Sequence, residues 1–280
     1  MRLSKFLPED FDPTSKIVLL VGKGDYPKLV WHRFLDHRLN ACIIAFEGDA
    51  ESWVSEIPEP QKTSLNVGQI GKLLKILKQI GARYVFLAGQ INPSKLFRGL
   101  KLDLMAVWLL ARLKEKNAST IFGSIVCEIE KLGITVLDAR SFLDDQLIDK
   151  GIVLGDKAVE ISEHDLQQGI FVAKSLSSLD VGQGLVICQG TIVAVEAFEG
   201  TDAMLERAGT LCQKPMGFIK LAKNKQDFRF DVPVFGLRTL EKMKQAGIAW
   251  AALEGEKTLI LNQTQVLEQA KSLGIKLVGF

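Results

Sequence analysis

Apolar positions along the chain follow two rhythms, short unbroken runs and longer stretches at helical spacing, and the two alternate. Residues 16–21, Lys-Ile-Val-Leu-Leu-Val, read as a buried strand closed by Gly22 and Gly24. A helix is expected over 29–39, after Pro27, and a second buried strand over 41–46. The pattern recurs in outline, with a helix over 71–80, a strand over 84–87 and Gly89 behind it. Strands alternating with helices predict a parallel sheet with ligand contacts at the carboxyl ends of its strands. The first half is therefore expected to be Rossmann-like.

Over residues 100–114, Leu102, Met105, Leu109 and Leu113 recur at helical spacing, with Trp108 among them. Such a helix serves either as a core or interdomain element, or as a face for acyl chains or a membrane surface. A further helix is expected over 119–132 and a strand over 134–137. Residues 138–157, rich in Asp and Gly and weakly periodic, mark a boundary. Beyond it, Ser162 with Asp165 resembles a capping arrangement ahead of a helix that runs to about residue 178. Runs over 185–188 and 192–197 flank Gln189-Gly190, which suggests a β-hairpin. A helix follows Gly200-Thr201. Strands near 218–221, 232–235, 248–253, 258–261 and 277–278 then alternate with helices near 238–245 and 264–273. The fold class expected is α/β with two domains: an N-terminal Rossmann-like parallel-sheet domain over 1–138, a linker over 139–158, and a C-terminal mixed α/β domain over 159–280.

Composition narrows the function. The chain has 280 residues, 47% of them apolar, enough for two separate cores. Its 35 basic residues stand against 33 acidic ones, so no general excess of positive charge favours a nucleic-acid backbone. Cys42, Cys127, Cys188 and Cys212 have neither paired metal spacing nor the density of a disulfide scaffold, so reduced thiols and an intracellular setting are expected. The opening residues do not read as a signal peptide, and no apolar run approaches the roughly 20 residues of a spanning helix. His32, His37 and His164 lack zinc-ligand spacing, and no Ser-His-Asp or Cys-His signature appears.

Chemistry is then left to carboxylates, lysines and glycines. In Gly22-Lys-Gly-Asp-Tyr-Pro27, glycines behind a strand allow either a plain turn or close backbone approach to a phosphate. A full dinucleotide fingerprint would need a third glycine where Pro27 stands. At 195–205, Thr201 reads as an N-cap and Asp202 as a first-turn acid, with Glu196 and Glu199 close in sequence at the same strand-to-helix junction. Hard-cation ligands converge at such junctions, although capping alone also accounts for Asp202. Over 220–233, an extended backbone would point Asp227, Arg229 and Asp231 one way and Phe228, Phe230 and Val232 the other. The row reads either as an ion-paired surface strand or as a site where acids bind metal or activate water and Arg229, Lys220, Lys223 or Lys225 meet phosphate.

Taken in order, Gly22-Lys-Gly-Asp-Tyr-Pro, Asp180-Val-Gly-Gln, Val195-Glu-Ala-Phe-Glu-Gly-Thr-Asp-Ala-Met-Leu and Gln226-Asp-Phe-Arg-Phe-Asp-Val-Pro resemble the UDP-2,3-diacylglucosamine pyrophosphatase family of lipid A biosynthesis, in the form unrelated to calcineurin-like metallophosphoesterases. The likeness runs from about Lys16 to Phe280 and is most specific in the second half. Where the family tends to carry Gly-Asp-Asp ahead of a helix, this chain has Asn117-Ala118-Ser119. The resemblance implies hydrolysis of UDP-2,3-diacylglucosamine to UMP and 2,3-diacylglucosamine 1-phosphate, with Mg2+ as cofactor and Mn2+ or Co2+ as substitutes. It implies a cytoplasmic enzyme peripheral to the inner membrane of a Gram-negative bacterium, with an active site between two domains, the C-terminal one catalytic. A homodimer is the assembly it leaves open. On the residues that match, Asp227 becomes the foremost catalytic or metal-positioning acid, Asp231 the second, and Arg229 a phosphate clamp. Gly22, Gly24, Thr201, Lys220 and Lys223 become substrate contacts, and Asp202, Glu196 and Glu199 a metal shell. Two other classes compete: a non-catalytic nucleotide-sugar or lipid-binding homologue, and a nicotinamide-dependent oxidoreductase with Glu47 as its ribose acid.

Overall fold

The computed structural model describes residues 3–47, 52–90, 102–115 and 117–280. The chain divides into two compact units, Met1–Asp144 with Asp227–Asp231, and Asp145–Gln226 with Val232–Phe280.

In the first unit, β1 (Ile17–Val21), β2 (Ala41–Phe46), β3 (Lys62–Leu65), β4 (Tyr84–Ala88) and β5 (Thr135–Val136) form a parallel sheet in the order β3-β2-β1-β4-β5. All residues of β1 and β4 are buried, as their unbroken apolar runs require of strands covered on both faces. The strand order is the doubly wound one, in which winding reverses between β1 and β4 and ligands bind beyond the carboxyl ends. Its helices are α1 (Asp25–Asp36), α2 (Ile70–Gln79), α3 (Leu104–Arg112) and α4 (Ala118–Glu130). The core over one face gathers Leu20, Ile44, Leu73, Val85, Leu109 and Ile125. Of the helix expected over 100–114, Leu100 and Lys101 lie outside the described residues. The helix opens on Asp103, whose carboxylate accepts from Ala106 N–H at 2.9 Å. Asn117 caps α4 in the same way, accepting from Thr120 N–H at 2.9 Å.

In the second unit, β6 (Val153–Gly155), β7 (Gly184–Cys188), β8 (Thr191–Val195), β9 (Met216–Lys220), β11 (Ile248–Leu253) and β13 (Lys276–Gly279) form a mixed sheet in the order β6-β13-β11-β9-β7-β8. The run β9-β11-β13 is parallel, and β6, β7 and β8 pair antiparallel to their neighbours. β10 (Val234–Phe235) and β12 (Leu259–Ile260) make a separate parallel pair. The helices are α5 (Glu163–Ser178), α6 (Thr201–Leu211), α7 (Leu237–Gln245) and α8 (Gln263–Leu273). The expected hairpin forms between β7 and β8, on Gln189 at φ 47° and Gly190 at φ 76°. Ser162 caps α5 by accepting from Asp165 N–H at 3.3 Å. The Asp165 carboxylate does not close the box; it accepts from Gln189 N–H at 3.1 Å and Gly190 N–H at 2.6 Å and so holds the hairpin turn.

Of the stretch expected to link the domains, residues 139–144 belong to the first unit and 145–158 to the second, where β6 lies beside β13. Among the described residues no helix is long and apolar enough to cross a membrane.

Candidate active site

The carboxyl edge of the first sheet is built by backbone approach. Gly22 follows β1 and Gly89 follows β4, and between them Lys23 N–H donates to Gln90 O at 2.8 Å while Gln90 N–H donates to Lys23 O at 2.9 Å. A Cβ at Gly22 would stand 2.7 Å from Gln90 O, so glycine is required for the two loops to meet. Gly24 then takes φ 102° as the N-cap of α1 and gives that helix no side-chain cap. Tyr26, in the first turn of α1, donates its hydroxyl to Ala139 O, in the loop that follows β5. Burial first and Asp138 second hold the phenol well above its ordinary range, so it stays a donor.

The row expected over 227–231 as a strand is a turn. Phe230 N–H and Asp231 N–H both donate to Asp227 O, at 3.2 and 3.0 Å. The reason is local: Asp227 Oδ1 accepts from Arg229 N–H at 3.1 Å, which pulls the chain round, and the guanidinium then closes on the same carboxylate. Arg229 Nε donates to Oδ1 at 2.9 Å and Nη2 to Oδ2 at 2.7 Å. These bonds hold the Asp227 carboxyl below its ordinary value against the opposing effect of partial burial. Arg229 Nη1 donates to Glu130 Oε1, at the end of α4, at 2.6 Å. Although the turn lies deep in the second half of the sequence, it packs within the first unit.

A second turn of the same make stands beside it. Asp138 Oδ1 accepts from Arg140 N–H at 2.8 Å and Nε at 3.0 Å, and Oδ2 from Nη2 at 2.6 Å. Ala139 N–H donates to Phe228 O at 2.6 Å, and Arg140 stacks over the Phe228 ring at 3.8 Å and the Phe6 ring at 4.2 Å. Sequence reasoning singled out Asp227 and Arg229 but missed Tyr26, Glu130, Asp138 and Arg140. The repeated Asp-x-Arg at 138–140 and 227–229 was the available signal.

The other expected site residues lie in the second unit. Thr201 is not the cap of α6; Gly200 is, at φ 81°, and Thr201 begins the helix. Its hydroxyl instead donates to Glu196 Oε1 at 2.8 Å and accepts from Lys220 Nζ at 3.2 Å. Glu196 is 7% exposed and Lys220 4%, so an acid, a hydroxyl and a base form one buried relay. Glu199 turns to Arg207 at 2.5 Å, which lowers its pKa, and Asp202 to Arg238 at 2.6 Å. Lys223 pairs with Asp180 at 3.2 Å.

Glu196, Glu199 and Asp202 therefore face different partners. Glu196 Oε2 has no hydrogen-bond partner among the described residues, but it faces Gly184, where a Cβ would stand 2.6 Å from it and 3.0 Å from the Phe218 ring. That surround does not fit a cation that demands an octahedron of oxygens. Among the described residues no group of three or more His, Cys, Asp or Glu is placed to hold a metal ion.

Residues 16–146 match the profile of the LpxI N-terminal domain and residues 149–278 that of the LpxI C-terminal domain. A relative from Caulobacter vibrioides, the UDP-2,3-diacylglucosamine pyrophosphatase LpxI, is 29% identical over 228 residues, which is 77% of this chain and 80% of the relative.

Proposed function

The chain belongs to the LpxI family, and from that premise we propose that it hydrolyses the pyrophosphate bond of UDP-2,3-diacylglucosamine to UMP and 2,3-diacylglucosamine 1-phosphate in lipid A synthesis. The observation that carries the reading is the Asp227 turn, which bears an ionised carboxylate and is bonded through Phe228 O to the loop that follows β5, at the carboxyl edge of a doubly wound sheet. A carboxyl held below its ordinary value stays ionised at neutral pH, which suits a group that orients water by accepting its hydrogen bond rather than one that donates a proton. Asp231, in the same turn, is the second candidate for that role. Of the five guanidinium N–H groups of Arg229, three donate to Asp227 and Glu130 through Nε, Nη2 and Nη1. Among the described residues the remaining two, one on each terminal nitrogen, are left for a phosphate oxygen, which is the clamp this reading assigns to Arg229.

Gly22 and Gly24 ahead of α1 and Thr201, Lys220 and Lys223 in the second unit are the proposed substrate contacts. Mg2+, with Mn2+ or Co2+ as substitutes, is proposed as a requirement. Glu196, Glu199 and Asp202, the ligands the resemblance implies, face different partners and do not form a ready shell. On α3, Leu104, Val107 and Trp108 are exposed on one face, and Arg112 lies 4.5 Å over the Trp108 ring. Such a face supports peripheral contact with acyl chains or the cytoplasmic side of the inner membrane.

The test is incubation of purified protein with UDP-2,3-diacylglucosamine, with UMP followed by chromatography. UMP should appear in step with the lipid 1-phosphate, stop with EDTA and return with Mg2+. Tight binding of the substrate with no UMP at high protein concentration would assign a binding role instead.

A further inference from the structure

The Asp227–Arg229 pair is closed within one turn, so it fixes the shape of the turn but not its place on the domain. Placement depends on contacts from outside. On one flank, Arg229 Nη1 donates to Glu130 Oε1 at 2.6 Å and the Phe230 ring lies 6.0 Å from that of Phe122, both partners on α4. On the other flank, Ala139 N–H holds Phe228 O at 2.6 Å and the Arg140 guanidinium lies 3.8 Å over the Phe228 ring. Arg140 is itself aligned by the two-oxygen grip of Asp138, and Tyr26, in the first turn of α1, holds Ala139 O.

Glu130 is also placed against its own helix. As the last residue of α4 it sits where the unpaired carbonyls disfavour an acid, and Glu128 stands in the same turn. Helix stability gives no reason for a carboxylate there; the bond to Arg229 does.

We propose that Glu130 and Arg140 are positioning residues for Asp227, and that the loop over 138–140 and the end of α4 together set the reacting carboxylate at the sheet edge. This rests on the reading of Asp227 as the reacting acid. Neither residue is assigned to touch substrate. A displacement of about 1 Å at a reacting group costs on the order of 100-fold in rate, so loosening either flank should act on turnover.

The test compares Glu130→Ala, Glu130→Gln, Arg140→Ala, Arg140→Lys and Asp227→Asn for UMP release, with the thermal melt of each. Glu130→Ala and Arg140→Ala should lower kcat by about 10- to 100-fold, with KM within about 2-fold and the melt close to wild type. Glu130→Gln keeps an acceptor for Nη1 and should recover most of the rate. Arg140→Lys lacks the planar fork and should not. Wild-type kcat in Glu130→Ala and Arg140→Ala, beside an inactive Asp227→Asn, would overturn the positioning role and leave the reading of Asp227 standing. A loss that Glu130→Gln does not relieve and that follows the melt would make the contact structural, also overturning the proposal. Wild-type turnover in Asp227→Asn would remove the reading itself and the positioning role with it. The Glu130–Arg229 pair is about 40% exposed at Glu130, so the Gln variant tests the proposal even if Arg140→Ala does not fold.

Discussion

The relay of Glu196, Thr201 and Lys220 offers a quantitative test of whether the second unit is held by a buried polar network. Glu196→Gln preserves the shape of the side chain and an acceptor for the Thr201 hydroxyl, but removes the negative charge. Lys220, 4% exposed and bonded to Thr201 at 3.2 Å, then loses the charged acid at the far end of the relay. Removing one charged member of a buried network costs about 3–5 kcal/mol. At about 3 °C per kcal/mol for a protein of this size, the melt should fall by roughly 9–15 °C. Lys220→Met should cost a similar amount for the mirror-image reason. The double variant Glu196→Gln/Lys220→Met should be less destabilised than the sum of the singles by about 1–3 kcal/mol, since both residues act through the same Thr201 hydroxyl. Circular dichroism melts of the four proteins give both numbers. A single variant that melts within 2 °C of wild type, or a double whose loss equals the sum, would refute the account of a coupled pair.

Further perturbations probe the first unit and the thiols. Gly89→Ala places a Cβ 2.7 Å from Pro27 and 2.8 Å from Gly22 at a residue with φ 90°, so it should destabilise by about 3 kcal/mol; an unchanged melt would show that the loops can part. Arg229→Gln should raise the Asp227 pKa towards 3.8, since its chief cause of depression is gone. The depressed folded value gives stability that is full above the unfolded pKa and is lost as pH falls through the folded one. The wild-type advantage in chemical denaturation should therefore be larger at about pH 6 than at about pH 3, and equal advantages at both would contradict it. Cys188 and Cys212 lie Sγ to Sγ at 3.4 Å, with the Cys188 thiol pushed up to about 11 by burial and then by Cys212. Oxidised glutathione should join them, each thiol losing a proton as glutathione disulfide is reduced to two thiols, faster at about pH 9 than at pH 7. The mass should fall by about 2 Da, and should not in Cys188→Ser; an unchanged wild-type mass at pH 9 would show that the pair cannot close.

How legible all this was depended on how local the cause was. β1, β2 and β4 are buried along nearly their whole length, so their unbroken apolar runs were sufficient. β3 buries only Leu65 and β6 leaves Val153 exposed, so neither run carried a strand signal. The alternation Asp227-Phe-Arg-Phe-Asp231 has a strand's period, yet its two phenyl rings part, Phe228 to Arg140 and Phe230 to Phe122. An Asp that bonds the backbone two residues on makes a turn with the same period. The partner of Arg229 at Glu130 is 99 residues away, and no periodicity reaches that far. Charges clustered in sequence at 196–202 read as converging, but nearby Arg207 and Arg238 draw two of them elsewhere.

The central claim is that the Asp227 turn carries the hydrolysis. It is tested most directly by UMP release from UDP-2,3-diacylglucosamine by Asp227→Asn beside wild type, with substrate binding and the thermal melt measured on the same samples. The account predicts turnover at background level, with binding retained and the melt within a few degrees of wild type. Turnover at the wild-type rate in a folded Asp227→Asn protein would contradict it.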